Sequence, residues 1–397
     1  MISAHQEESY QPGGSRHMCL PEVPRPRILH VIQCANLGGM EKATLELMCA
    51  LNSIGCENRL VSLNPISGLG PLLEERSIPA KGLNYRGPAG LFSIPQMAHE
   101  FRNAQTDGLV VTGHNLAAFA ALAGLHCKKR LLFIHYHHQG VKPEWEWRAI
   151  YMAAMRLFPR VAFCADFIRE EAEEIYPPLR KVSTTLRNPF RLPPKPSDED
   201  RSAARQALGI PDGTLVVGNA GWLIERKRWD VFLNVAAKIA AQRSGVIFLA
   251  SGDGPLRDQL KRQCNALGLS ERVRWLGWQD DLTRFYLALD VLLFNSDWDA
   301  LPRTPLEAGT YGVPSVASAL HGGLREVIDS ERVGFLIDRH DEEWLAARTL
   351  QLLLDATLRR DMGAACRQFL AERHNPEENA RRMLKLLDMD TCIGSNA

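Results

Sequence analysis

The chain carries almost no net charge, with 47 Lys and Arg against 46 Asp and Glu for a formal +1. That balance gives no global field for nucleic acid or an anionic membrane, so any phosphate-binding site must be local. No nucleic-acid module stands in the sequence either. The nine cysteines, from Cys19 to Cys392, include no CxxC pair and no His/Cys spacing suited to zinc, which leaves reduced thiols as the expected state. The first residues lack an apolar run behind a basic start, so no secretory signal is expected. No stretch approaches the roughly 20 apolar residues needed to span a bilayer. The cytoplasm is the expected location. No complete GxGxxG follows a strand, which argues against a dinucleotide-dependent oxidoreductase.

What is present is a globular composition, 45% hydrophobic and 23% charged over 397 residues, enough for two domains that each bury a core. Residues 1–26 read as a loose tail. Short β-rich runs then alternate with helical patterns, beginning with Ile28–Ile32. The segment after it places Met40, Ala43, Thr44, Leu47, Met48 and Leu51 at helical spacing, with Gly55 as the stop. Further strands are expected at Leu60–Leu63, Leu109–Thr112, Leu131–Ile134 and Val161–Cys164. Prolines at 189, 193, 194 and 196, followed by Asp198–Arg201, read as a stiff, solvated linker. The alternation restarts at Leu215–Val217 and continues through Val246–Leu249, Val273–Leu276, Val291–Phe294 and Ser315–Ala317. The expected fold is α/β, two doubly wound Rossmann-like lobes spanning 27–190 and 191–375. A final segment, 376–397, holds a helix free to pack on either lobe. Ligands of such sheets bind at the carboxyl ends of the strands, so two facing lobes define a cleft.

Four segments offer chemistry. Gly38 and Gly39 lie between the first strand and its helix, where backbone can approach a ligand and free amides point at it; a plain tight turn would use the same residues. Gly221–Arg228 follows the first strand of the second lobe and brings Arg226, Lys227 and Arg228 to that strand's end, a composition suited to a diphosphate or to a solvated loop. Ser251–Pro255 reads as turn chemistry, with Pro255 at the first position of a helix and Gly254 as its cap. Asn295–Gly309 follows an apolar strand, enters a helix and carries Asp299 and Glu307 eight residues apart. Thr304-Pro305-Leu306-Glu307 also spells a capping box, so Glu307 has both a structural and a binding reading.

The last segment resembles the E-x7-E motif of retaining glycosyltransferase family 4, a GT-B group that uses nucleotide-sugars. The likeness continues through Leu306–Ala308, Gly312–Ser318, Gly322-Gly323 and Glu326, and an early G-G-x-E stands at Gly38, Gly39 and Glu41. The resemblance implies transfer of a hexosyl unit to an acceptor hydroxyl with retention at the anomeric carbon. In polysaccharide or lipid-linked glycan synthesis that acceptor would be a sugar or a lipid-linked glycan. It implies that Glu307 holds the donor's ribose and Asp299 the transferred sugar. It further implies that amides around Arg303, Thr304 and Leu306 meet sugar hydroxyls, and that Lys227 with Arg226 neutralises the diphosphate. His135, at the end of Phe133-Ile134-His135, best matches the histidine near the reactive carbon; His114, His137 and His138 are weaker matches. Two departures stand out: Trp222 where the family carries arginine, and Asp299 in place of the longer glutamate. No metal and no cofactor are expected, since protein cations can serve the diphosphate and the donor is a substrate. Epimerase, phosphorylase and non-catalytic nucleotide-sugar binder are the rival readings. The Trp- and Arg-rich stretch Pro143–Arg160 leaves peripheral contact with a membrane's inner face open.

Overall fold

The computed structural model describes residues 25–85, 93–122, 125, 127–135 and 142–389. The first lobe opens with β1 (Arg27–Ile32), α1 (Gly39–Ser53), β2 (Glu57–Ser62), α2 (Gly70–Glu75), β3 (Ala80–Gly82) and α3 (Ile94–Asn103). It continues with β4 (Gly108–Thr112), α4 (Leu116–Ala121), β5 (Arg130–Ile134), α5 (Glu144–Leu157), β6 (Arg160–Phe163), α6 (Asp166–Ile175) and β7 (Ser183–Thr185). The second lobe begins with α7 (Asp198–Ala207), β8 (Leu215–Ala220), α8 (Trp229–Gln242), β9 (Val246–Ser251), α9 (Arg257–Ala266) and β10 (Val273–Gly277). Then come α10 (Thr283–Ala288), β11 (Val291–Asp299), α11 (Arg303–Thr310), β12 (Ser315–Gly322) and β13 (Gly334–Ile337). Helices α12 (Glu342–Leu354), α13 (Ala356–Arg373) and α14 (Pro376–Leu386) are the last elements among the described residues.

Every described strand pairing is parallel, in the orders β3-β2-β1-β4-β5-β6-β7 and β10-β9-β8-β11-β12-β13. The continuous apolar runs read from the sequence are the central strands; their residues are buried because helices cover both faces of each sheet. In each sheet the order reverses beside the first strand, between β1 and β4 and between β8 and β11. Such switch points open crevices at the strands' carboxyl ends, and both chemistry-bearing loops lie there.

Two expectations need correction. Asp198–Arg201 is not linker but the start of α7, because Ser197 and Asp200 form a reciprocal capping box. Pro255 does not open a helix: α9 starts at Arg257 behind Leu256. Gly252 has φ +153°, and a Cβ there would lie 1.9 Å from the Gly221 carbonyl oxygen. The two loops therefore touch backbone to backbone, which only glycine permits.

Helix α14 returns to the first lobe, where Ala380, Met383, Leu384 and Leu387 join its core. The linker is pinned to that returning chain: the Phe190 amide donates to the His374 carbonyl at 2.9 Å, and His374 Nδ1 meets the Asn188 carbonyl at 2.7 Å. Among the described residues no helix is long and apolar enough to cross a membrane.

Candidate active site

Strand β11 delivers Asp299 to the cleft, and the loop after β8 meets it there. Lys227 Nζ lies 2.7 Å from Asp299 Oδ2, and Arg226 Nη1 lies 2.9 Å from Oδ1. Burial alone would raise the Asp299 pKa, but Lys227 and then Arg226 outweigh it and hold the carboxyl below its ordinary value. Two of the three cations of Gly221–Arg228 thus converge on one carboxylate. Arg228 turns elsewhere, to Asp230 at 2.8 Å and Asp297 at 3.2 Å. Trp222 carries no charge to the site; it is 54% exposed and packs against Trp278 at 4.6 Å between ring centroids.

Helix α11 starts one residue before Thr304, with Pro302 as its N-cap and no side-chain cap. The capping box expected at Thr304–Glu307 therefore does not form: Thr304 Oγ1 donates instead to the Ala220 carbonyl at 3.1 Å. Helix geometry leaves the first-turn amides of Arg303 and Thr304 without intrahelical acceptors, Pro305 has no amide to offer, and the Leu306 amide is committed to the carbonyl of the Pro302 N-cap. The Leu306 side chain is fully buried, so, contrary to expectation, Leu306 offers a ligand no free group, and the free amides of this turn are those of Arg303 and Thr304.

Glu307 is freed from capping and faces the cleft. Its Oε1 accepts from Arg303 Nε at 3.1 Å and its Oε2 from the Tyr286 hydroxyl at 2.8 Å. Tyr286 stacks on Tyr311, with ring centroids 5.7 Å apart. Glu307, Tyr286, Tyr311, Thr283 and Lys42 line a cavity of about 410 Å³ between the lobes.

The first lobe brings Gly38 and Gly39 to the same place. Gly38 caps α1 without a side chain, and a Cβ on Gly39 would stand 3.0 Å from Arg303 Cδ. The absence of a side chain there lets the second lobe close onto the helix start. His135 directly follows β5, buried, with Nε2 2.7 Å from Asn188 Oδ1. Its Nδ1 has no partner among the described residues. Burial lowers its pKa to about 4, the Asn188 bond opposes this, and the positive charge of Arg303 lowers it further. The imidazole is neutral near pH 7. His114 instead packs against Trp147 at 4.9 Å, and His137 and His138 lie outside the described residues.

Three further participants had no role assigned from sequence, although Glu326 was noted there as part of the motif likeness. Glu46 of α1 reaches across the cleft to Arg303 Nη2 at 3.1 Å. Asn188 holds His135. Glu326 of the second lobe accepts from the Phe167 amide at 2.8 Å and so caps α6 of the first, which lacks a cap of its own. Glu46 also left a trace: with Lys42 it forms a polar i, i+4 pair beside the apolar stripe of α1.

Residues 200–369 match the family described as Glycosyl transferases group 1. Among curated proteins, the lipopolysaccharide core biosynthesis glycosyltransferase LpsE of Rhizobium meliloti is 31% identical over 183 residues, 46% of this chain and 52% of that protein. A D-inositol 3-phosphate glycosyltransferase of Mycobacterium sp. is 38% identical over 168 residues, 41% of this chain and 38% of that protein. The chain thus spans about half the length, or less, of these relatives. Among solved structures, Anabaena HepE in complex with UDP superposes with a TM-score of 0.79 over 91% of this chain and 99% of that one, at 20% identity. WaaG, a glycosyltransferase involved in lipopolysaccharide biosynthesis, gives 0.68 over 90% and 99%, at 16% identity. These likenesses establish the GT-B fold.

Proposed function

Because residues 200–369 belong to the glycosyl transferases group 1 family, we propose that the chain transfers a hexosyl unit from a nucleotide diphosphate sugar to an acceptor hydroxyl, with retention. The observation that carries this reading is the convergence of Lys227 and Arg226 on Asp299, facing an uncapped helix start in each lobe. When the bond from the anomeric carbon to the phosphate oxygen breaks, negative charge grows on the departing diphosphate. Preorganised cations and helix-terminal amides stabilise that charge more than they stabilise the ground state. The donor displaces Lys227 and Arg226 from Asp299, and Asp299 turns to the sugar hydroxyls. Glu307 takes the ribose. The acceptor oxygen attacks the face that the diphosphate leaves, and the leaving phosphate oxygen accepts the acceptor's proton. His135, neutral, borders the reacting carbon as an uncharged hydrogen-bonding group.

The diphosphate is served by protein cations, so activity in EDTA should equal activity without it; loss in EDTA restored by Mn²⁺ would overturn this part. The reported complex of HepE with UDP-glucose makes a uridine donor the first to test. The decisive experiment is a thermal-shift screen of UDP-, GDP- and ADP-sugars followed by donor turnover. Glu307→Ala should lose the nucleotide-dependent stabilisation; a variant that shifts like the parent contradicts the assignment.

An acceptor carried by lipid would suit the outer face of α5, where Trp145, Arg148, Met152 and Arg156 are exposed on one stripe, an arrangement suited to an anionic lipid interface. Co-flotation with vesicles containing acidic lipid supports that contact, and its absence counts against it.

A further inference from the structure

The Arg303 guanidinium sits between two carboxylates from opposite lobes, Glu46 of α1 at 3.1 Å and Glu307 of α11 at 3.1 Å. Its plane lies over the Phe190 ring of the linker, 4.5 Å from the centroid. The Arg303 side chain is only 14% exposed. An ion this buried is held only where partners replace its water, and here the partner from the first lobe is Glu46. Two buried polar atoms remain without a partner among the described residues, Arg303 Nη1 and Glu46 Oε2. The arrangement is thus unfinished as it stands, although each group is oriented by the other.

We propose that Glu46 and Arg303 form a cross-lobe positioning pair that sets the Glu307 carboxylate for the donor only when the lobes are closed. Glu46 itself touches no donor atom; it acts through Arg303. The proposal rests on the glycosyltransferase reading, in which Glu307 grips the donor. Three geometric facts support it. Arg303 Nε bonds one Glu307 oxygen and the Tyr286 hydroxyl bonds the other, so the direction of the carboxylate is fixed from both sides. Gly39 leaves room for the Arg303 stem and for nothing larger. The planar fork of arginine can hold two carboxylates in fixed directions, which a lysine ammonium cannot. Opening the lobes removes Glu46 from Arg303, which leaves Arg303 free to fold onto Glu307 and mask it. Donor grip is therefore linked to closure through a first-lobe carboxylate.

The test compares the parent with Glu46→Gln, Glu307→Gln and the double variant, using two readouts on the full chain. The first is hydrogen exchange without ligand over the peptide containing Arg303–Glu307, which should be faster in Glu46→Gln; unchanged exchange overturns the pairing. The second is titration with whichever of UDP, GDP or ADP binds the parent. Glu46→Gln should weaken binding about tenfold in the parent but less than about twofold in the Glu307→Gln background, because interacting sites are not additive. Equal weakening in both backgrounds overturns the proposal, since a merely structural loss would act in both. Arg303→Lys keeps the charge and serves if Glu46→Gln misfolds; it should reproduce the same pattern, and parent-like exchange and affinity in it overturn the pair. If no diphosphate binds the parent, the functional reading fails, while the exchange result still decides the pairing.

Discussion

Replacing Lys227 by Met keeps a stem of similar length and removes the ammonium, which lies 5.1 Å from the Phe294 ring centroid. Two consequences follow from the geometry. Without ligand, Asp299 loses the partner 2.7 Å from Oδ2 and keeps Arg226 at Oδ1. Both side chains of the lost pair are about 15% exposed, so water compensates little. A hydrogen bond to a charged group contributes about 1.5–3 kcal/mol, and a loss near the lower end is expected for folding because Arg226 remains. With ligand, the diphosphate loses one of two cations, and the same 1.5–3 kcal/mol corresponds to roughly 10- to 150-fold weaker binding. Calorimetric titration with the nucleoside diphosphate that most stabilises the parent measures this, with the matching nucleoside as control. The nucleoside makes no phosphate contact, so its affinity should be unchanged. Equal losses for nucleoside and diphosphate, or no loss for the diphosphate, would refute the assignment of Lys227 to the leaving group.

Further outcomes follow from single contacts. Gly252→Ala should destabilise the second lobe by roughly 3 kcal/mol or more, because a Cβ would meet the Gly221 oxygen at 1.9 Å and φ is +153°; a melting temperature like the parent's contradicts this. Glu326→Ala removes the cap that the second lobe places on α6 and should cost about 1 kcal/mol, read as a lower midpoint in urea. Stability should fall with acid between pH 6.5 and about 4. His30, His135 and His374 are buried, and burial lowers each to about 4 from 6.5. Above pH 6.5 neither state is protonated and the contribution is complete. Below it the unfolded chain binds protons that the folded chain refuses, at about 1.4 kcal/mol per pH unit for each histidine. Urea titrations at pH 7, 6 and 5 should show this slope, and removing one of the three should reduce it by one proton's worth.

The two lobes were legible because their central strands are continuous apolar runs such as Leu131–Ile134 and Val291–Phe294, which a parallel sheet buries on both faces. Strands β3, β7 and β13 went unread: they are three, three and four residues long, and Ala80–Gly82 is exposed throughout, so none carries enough of the pattern. Asp198–Arg201 was misread because charge suggests solvation, although the Ser197/Asp200 capping pair was there to see. The capping box at Thr304 failed for a local reason: Pro302 already supplies the extended N-cap conformation, so the helix starts before Thr304 can cap it. Within the site, Lys227, Arg226, Asp299, Glu307 and Gly39 were legible through loop position and resemblance. The bridging role of Arg303 was not, because its partner Glu46 lies 257 residues away and no spacing rule links them.

Both proposals require a nucleotide diphosphate to bind in the cleft between the two lobes. A crystal structure of the chain soaked with the nucleoside diphosphate found by screening tests it most directly. The diphosphate is expected against Lys227 and Arg226, both released from Asp299, with the ribose hydroxyls on Glu307. A nucleotide bound elsewhere, or bound in the cleft with the Lys227–Asp299 pair undisturbed and its ribose away from Glu307, would overturn it.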